Sequence, residues 1–413
     1  MSTFSQRIKK DIFQRFPPGI WLMTLLDIFI TIGVSIAFPF LALYLYQERG
    51  IPMSLVGLIF LIAGLCTGAT NIIGGMLADR FGRRRLLMII SVVSIFAYAL
   101  LAFLAGISSP VWLIALVYIV ARSFIGTIQP AVSTVVADLS PNDRLAESYA
   151  LVRVGGNVGF ALGPAMGGYM MSFLSYGWLL SVSAVTSVII TILIYFFLKE
   201  SFVVSRERVD FRSTLAVTGD RPFLVFTIFV ILLLLSMGHL GSTLSVFVVD
   251  RLGFSTAQYG LLLTTNGIIV ALSQYPVTYW VNKLSRANGL ILGSLLYVLG
   301  YLALGWVTSF SWAILIIVII TAGEVTFSPI ASAVVAEAAP LTKRGRYMGF
   351  FALTHTLGWS LSPLFGGVLL DIFPSEPRIL WGIIASVGLV AAAGFYGWGK
   401  MAKKPVGALP PKY

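Results

Sequence analysis

Apolar runs alternate with short polar segments along almost the whole chain, and each run is long enough to cross a bilayer. A helical crossing needs about 20 apolar residues. The pattern predicts spans near 20–46, 54–78, 86–106, 111–138, 147–172 and 177–198. After a polar stretch it predicts six more, near 222–250, 257–281, 289–308, 311–337, 347–372 and 379–399. The expected organisation is an N-terminal segment 1–19, a six-helix bundle 20–198, a linker 199–221, a second bundle 222–399 and a tail 400–413. The linker mixes five basic and four acidic residues and ends in Arg221-Pro222, which suits a surface connection.

The two halves repeat each other. Shifted by 199 positions, Pro130–Gly168 falls without a gap on Pro329–Gly367, with eleven of 39 positions identical. The matches include Pro141 with Pro340, Gly159 with Gly358, Pro164 with Pro363, and Gly167-Gly168 with Gly366-Gly367. Asp138 meets Glu337. A repeat of this length, apolar in both copies, points to a duplicated membrane bundle rather than a solenoid of short units. The expected fold is therefore an all-α membrane protein of 12 transmembrane helices in two six-helix bundles related by pseudo-two-fold symmetry.

Composition agrees: 58% of residues are hydrophobic and 11% charged, with a mean hydropathy of +0.94. A soluble chain of this length could not hide that much apolar surface. The net charge of +12 does not imply nucleic acid, because the basic residues sit between apolar runs instead of forming a domain. With the N-terminus inside, 23 of the 28 basic residues fall on cytoplasmic segments and three, Arg49, Arg251 and Arg378, on outside loops. That asymmetry places both termini in the cytoplasm. The polar, basic residues 1–19 read as an amphipathic surface segment, and no cleavable signal peptide is expected. The lone Cys66 lies in an apolar run and gives disulfides no role.

Candidate chemistry lies in the intramembrane charges, each expensive in lipid. Asp27 falls in the first span, Arg122 near the middle of the fourth and Glu324 near the middle of the tenth. His239 and His355 can titrate near neutral pH, although a histidine on an apolar helix is more often a hydrogen-bonded packing residue. Asn71, Gln129, Asn157, Asn266 and Gln274 are polar positions available to a cavity or to contacts between helices. No phosphate-binding glycine-rich loop, no paired Cys/His metal spacing and no Ser-His-Asp constellation is present, so neither ATP drive, a metal site, a cofactor nor catalytic residues are expected.

Between the second and third spans stands Gly75-Met-Leu-Ala-Asp79-Arg80-Phe-Gly82-Arg83-Arg84-Arg85. This stretch resembles the loop signature of the major facilitator superfamily. Its counterpart in the second half, 203 positions on, is worn: Asn282 stands for Asp79, Lys283 for Arg80 and Ser285 for Gly82, while Arg286 keeps the charge of Arg83. Arg122-Ser-Phe-Ile-Gly126 resembles the superfamily's mid-membrane Arg-xxx-Gly motif. Gly159-xxx-Gly163-Pro164-xx-Gly167-Gly168 resembles the motif of its drug:proton antiporters, in which glycines allow close helix contact and a proline bends the helix.

The resemblance implies alternating access around a central cavity lined by spans one, four, seven and ten. It implies a proton-coupled secondary transporter that exports lipophilic, cationic small molecules across the cell (inner) membrane as a monomer among lipids. Asp27, Glu324 and Arg122 are then expected in proton coupling, and Asp27, Glu324, His239 and Asn157 in substrate binding. Asp79, Arg80, Arg83 and Asp138 are expected in gating, with Arg286 and Glu337 as the second-half equivalents. An Arg83–Asp138 ion pair is expected in the outward-open state, and a looser Arg286–Glu337 contact or none, because Asn282 offers no charge. The Gly-Glu-xxx-Ser-Pro pattern at 323–329 also resembles a span-ten motif of peptide transporters, so proton symport of peptides is the alternative. A lipid flippase of the same fold and a non-transporting receptor or scaffold complete the readings.

Overall fold

The computed structural model describes residues 16–141, 144–200, 216–340 and 343–402, which are helical with no strand among them. The first half contributes α1 (Pro18–Ser35), α2 (Phe38–Leu43), α3 (Met53–Phe81), α4 (Arg83–Gly106) and α5 (Val111–Ile125). It continues with α6 (Ile128–Leu139), α7 (Leu145–Met170) and α8 (Tyr176–Phe197). The second half contributes α9 (Arg221–Met237), α10 (Thr243–Val246), α11 (Thr256–Val281) and α12 (Arg286–Leu304). It ends with α13 (Phe310–Ala338), α14 (Arg344–Ile372) and α15 (Pro377–Ala402). Eight helical stretches among the described residues are long and apolar enough to cross a membrane. Helices α7, α11 and α14 have comparable length, 26, 26 and 29 residues.

Duplication extends into backbone detail. The first predicted span breaks after Ser35, resumes as α2 and ends in a π-helical turn over Tyr44–Glu48. Its counterpart ends in a π-helical turn over Phe247–Arg251. Gly50 and Gly253 then take matching left-handed conformations, φ 67° and 70°, which L side chains rarely adopt. The Ile51 amide donates to the Leu45 carbonyl and the Phe254 amide to the Val248 carbonyl. Each matching pair is 203 residues apart.

Packing divides the chain into two compact units, and the division does not follow the linker. Unit one comprises Met1–Ile51, Ile62–Arg208 and Leu244–Ala271; unit two comprises Pro52–Leu61, Val209–Thr243 and Leu272–Tyr413. The exchange has a local cause at the N-terminal ends of α3 and α11. In unit one the Thr256 hydroxyl donates to the Gly168 carbonyl at 3.0 Å and the Thr264 hydroxyl to the Ala161 carbonyl at 2.7 Å. There Gly260 lies against the Pro164 carbonyl so closely that a Cβ has no room. In unit two Gly57 makes the equivalent approach to Pro363 and Leu364. The Met53 and Ser54 amides donate to the two Asp371 oxygens at 2.9 and 2.8 Å, so Asp371 caps α3 from α14.

Within unit one α1 packs along α7, and α4 packs against α5 and α8. Within unit two α9 packs along α14 and α15, and α12 between α13 and α15. The core of unit one gathers Ile20, Met23, Leu26, Leu87, Val132 and Ile194. Burying one such side chain contributes about 1.5–3 kcal/mol where water is the reference; between helices in lipid, close contact carries more of the association.

Candidate functional site

The α1–α7 seam holds the first carboxylate. Gly155, Gly159, Gly163 and Gly167 recur every fourth residue and present one ridge of bare backbone to α1. A Cβ at Gly155 would lie 2.5 Å from the Thr24 carbonyl, and one at Gly159 2.6 Å from that of Ile28. Gly156, adjacent to that ridge, makes room for Asp27: a Cβ there would come within 2.5 Å of Oδ2. Asp27 is 7% exposed, and Gln129 Nε2 donates to its Oδ1 at 3.4 Å. Asn157 is half-buried beside Gly156. Helix α7 runs unbroken through Pro164.

The same seam is rebuilt in unit two with its partners exchanged. In unit one Gly163 on α7 faces Ser35 on α1; in unit two Ser362 on α14 faces Gly238 at the end of α9. Gly167 faces Ile36 and Phe40, and Gly366 faces His239 and Thr243 at the corresponding positions. His239 is fully buried. Its Nδ1 lies 3.3 Å from Thr243 Oγ1, and Ser362 Oγ lies 3.3 Å from both ring nitrogens. The ring sits edge-on to Tyr301 and Trp381 at 5.8 and 6.3 Å. This is the enclosure of a hydrogen-bonded packing residue. His355 is exposed and accepts from Trp359 Nε1 at 3.1 Å.

Arg122, on α5 of unit one, places its guanidinium 5.4 Å from the Phe38 ring centroid, a cation–π geometry. Its carbonyl accepts from Thr67 Oγ1 at 3.1 Å. Four residues on, a Cβ at Gly126 would lie 2.7 Å from the Thr67 carbonyl, so the glycine of the Arg-xxx-Gly pattern lets α3 cross α5. Glu324 is half-buried on α13 of unit two, within electrostatic reach of the Tyr297 and Tyr301 phenols. Asp27 and Arg122 therefore belong to unit one, Glu324 and His239 to unit two.

At the N-terminus of α4, Arg83 forms the expected ion pair with Asp138, the two side chains only 6% and 17% exposed. The amides of Arg83 and Arg84 donate to Glu200 Oε1 at 2.9 and 3.2 Å. An acid there satisfies orphan donors and complements the helix dipole. Gly82 reaches this cap with φ 88°. Sequence reasoning missed Glu200, which reads as an ordinary linker charge. The side chains of Asp79 and Arg80 lie outside the described residues.

The second-half pair departs from expectation. Arg286 binds Glu337 through Nε at 3.2 and 3.3 Å and through a terminal nitrogen at 2.7 Å. Its other terminal nitrogen donates to Asn282 Oδ1 at 3.1 Å. The contact is a forked ion pair rather than a loose one, because an amide oxygen accepts from a guanidinium without carrying charge. It is the more exposed of the two, at 32% and 57%.

Comparison with known proteins agrees with this architecture. The Major Facilitator Superfamily model matches residues 23–255 and 224–411, and the chain belongs to that family. The family and its relatives are membrane transporters, not enzymes, and this chain is a multi-pass membrane transporter. It is 26% identical over 376 residues to a Na(+), Li(+), K(+)/H(+) antiporter of Planococcus maritimus, covering 82% of this chain and 86% of that protein. It is 24% identical over 359 residues to the quinolone resistance protein NorA of Staphylococcus aureus, covering 84% and 89%. It is 23% identical over 389 residues to the multidrug resistance protein MdtH of Yersinia enterocolitica, covering 92% and 94%. Among solved structures, the nucleoside transporter NupG superposes with a TM-score of 0.79 at 14% identity, covering 93% of this chain and all of that one. A POT family transporter in complex with 5-aminolevulinic acid superposes at 0.76 and 16%, covering 94% and 97%. These two likenesses show the fold.

Proposed function

We propose that this chain exports lipophilic, cationic small molecules from the cell in exchange for protons, by alternating access in the inner membrane. Both termini lie in the cytoplasm in this reading. The observation that carries it is Asp27: a carboxylate enclosed on α1, held by Gln129 and Gly156, with no ion-pair partner among the described residues. Such a group binds either a proton or a cation, since each relieves the same buried negative charge. Glu324 plays the same part from unit two, and Arg122 biases when the carboxylates release their protons. Asn157 and His239 shape the substrate's surroundings, His239 from within the packing. The Arg83–Asp138 and Arg286–Glu337 pairs, with Asp79 and Arg80, act in gating. The membrane potential adds about 2.3 kcal/mol per net charge moved per 100 mV.

The test is transport by purified protein in liposomes under an imposed pH gradient. A lipophilic cationic dye should accumulate against its own gradient when protons flow the other way, and not when the gradient is collapsed. Peptide uptake in the direction of proton flow would replace the reading with symport. Exchange of alkali cations is the second reading, favoured by the Planococcus relative's name and by the Thr31 hydroxyl near Asp27. Proton movement driven by sodium or potassium alone, with no dye flux, would establish it.

A further inference from the structure

Among the described residues, unit one contains a half-buried positive charge, Arg122, with no negative one beside it. Among the described residues the Arg122 guanidinium makes no ion pair and no hydrogen bond, and the Phe38 ring is its contact. A guanidinium on a membrane-spanning helix is costly unless it is paired or solvated. A ring face offsets only part of that cost.

Next to this charge is a cavity of about 20 Å³. That is room for one particle somewhat larger than water, and too little for a carboxylate-bearing or phosphate-bearing solute. Arg122 lines it together with Phe38, Tyr98, Tyr118 and Tyr176. The three tyrosines come from α4, α5 and α8 and are 9%, 8% and 2% exposed. The phenols of Tyr98 and Tyr118 lie within electrostatic reach of the guanidinium. The Tyr176 hydroxyl donates to the Ala37 carbonyl at 3.3 Å, and its ring stacks on Tyr44 at 4.7 Å. Among the described residues, no acidic one lines the cavity. Phenol hydroxyls donate, aromatic edges carry partial positive charge, and a guanidinium is cationic, so each polar element of the lining favours an anion. A water molecule would fill the space but leave the charge uncompensated.

We propose that this cavity binds a single small monovalent anion, of chloride size, held by the Arg122 guanidinium and the Tyr98 hydroxyl. The anion is a fixed counter-charge inside unit one, distinct from the exported solute and from the protons exchanged for it. Its occupancy stabilises the fold whichever solute is carried.

The experiment measures thermal unfolding of the purified full chain in detergent, with sodium chloride replaced stepwise by sodium gluconate at constant ionic strength. Chloride should raise the wild-type midpoint saturably by ~2 °C or more, and bromide should do the same. Tyr98→Phe removes one charge-assisted hydrogen bond, so about tenfold more chloride should be needed for the same rise. Arg122→Gln should lose the chloride dependence. Because Arg122→Gln can also impair folding, bromide-soaked crystals of the wild type give a second readout. An anomalous peak in the cavity supports the proposal. A water-filled cavity in bromide overturns it, as does a wild-type midpoint that does not distinguish chloride from gluconate. A chloride effect equally strong in Tyr98→Phe and Arg122→Gln would be general salt stabilisation, and overturns it too.

Discussion

The exchanged serine and glycine at the two seams allow a swap experiment whose outcome follows from packing. At Gly163 a Cβ would press on Ser35 Oγ and lie 3.1 Å from both Ser35 Cβ and the Ile36 nitrogen. Ser35 cannot turn aside freely, because its hydroxyl donates to the Thr31 carbonyl at 2.7 Å and to Gly159 across the seam at 3.4 Å. Overpacking of this kind costs about 1–3 kcal/mol, and a hydrogen bond between membrane helices adds about 0.6. Gly163→Ser alone should therefore destabilise the chain by about 2–3 kcal/mol, or several degrees of melting temperature. Unit two shows the arrangement that relieves it: Ser362 sits on the glycine-bearing helix, and Gly238 makes its room. The double variant S35G with G163S copies that arrangement. Its helix-propensity costs cancel, since one glycine is gained and one lost. It should melt within about 1 kcal/mol of wild type, leaving a coupling energy of about 1.5–2.5 kcal/mol in a double-mutant cycle. Thermal unfolding of the four purified proteins in one detergent is the assay. A Gly163→Ser variant as stable as wild type, or a double variant no better than the worse single, refutes the reasoning.

Asp27→Asn and Glu324→Gln should each abolish proton-driven export while expression holds; a wild-type drug gradient in both variants would remove the carboxylate mechanism. Asp138→Asn leaves the enclosed Arg83 without its counter-charge and should cost about 3 kcal/mol. Glu337→Gln, at the exposed second pair, should cost under about 1 kcal/mol, and equal melting shifts for the two would show that exposure does not separate them. Pro164→Ala restores an amide donor in the C-terminal part of α7 without crowding the seam. It should slow or uncouple exchange with folding intact, and unchanged transport at every pH would reduce the glycine-proline motif to packing.

Apolar run lengths and the repeat made the helical membrane fold legible, because lipid leaves helices as one of few ways to satisfy the backbone. Glycine and proline positions were legible for a related reason. They mark places where a Cβ cannot be accommodated or where the helix gives up an amide donor, and both halves keep them at Gly159, Pro164 and Gly167 and at Gly358, Pro363 and Gly366. The Arg83–Asp138 pair followed from the family resemblance. Strength in the Arg286 pair did not, since a change from acid to amide at 282 looks like a loss until Asn282 is seen accepting from Arg286.

Partners were what the sequence withheld. It marked Asp27 as costly but could not choose Gln129 and Gly156 as its neighbours, 102 residues along the chain in the first case. It singled out neither Glu200 nor Asp371, and only the fold brought them to the N-termini of α4 and α3. Sequence by itself determined that the chain is an apolar helical membrane protein and that it was built twice, because transfer from water is a sum over local composition. Tertiary structure alone decided which polar groups meet inside, because each of those contacts depends on the crossing of two helices far apart in the chain. The reversal of serine and glycine between Ser35/Gly163 and Gly238/Ser362 shows the difference. Close approach is required in both halves, but either helix can supply the glycine.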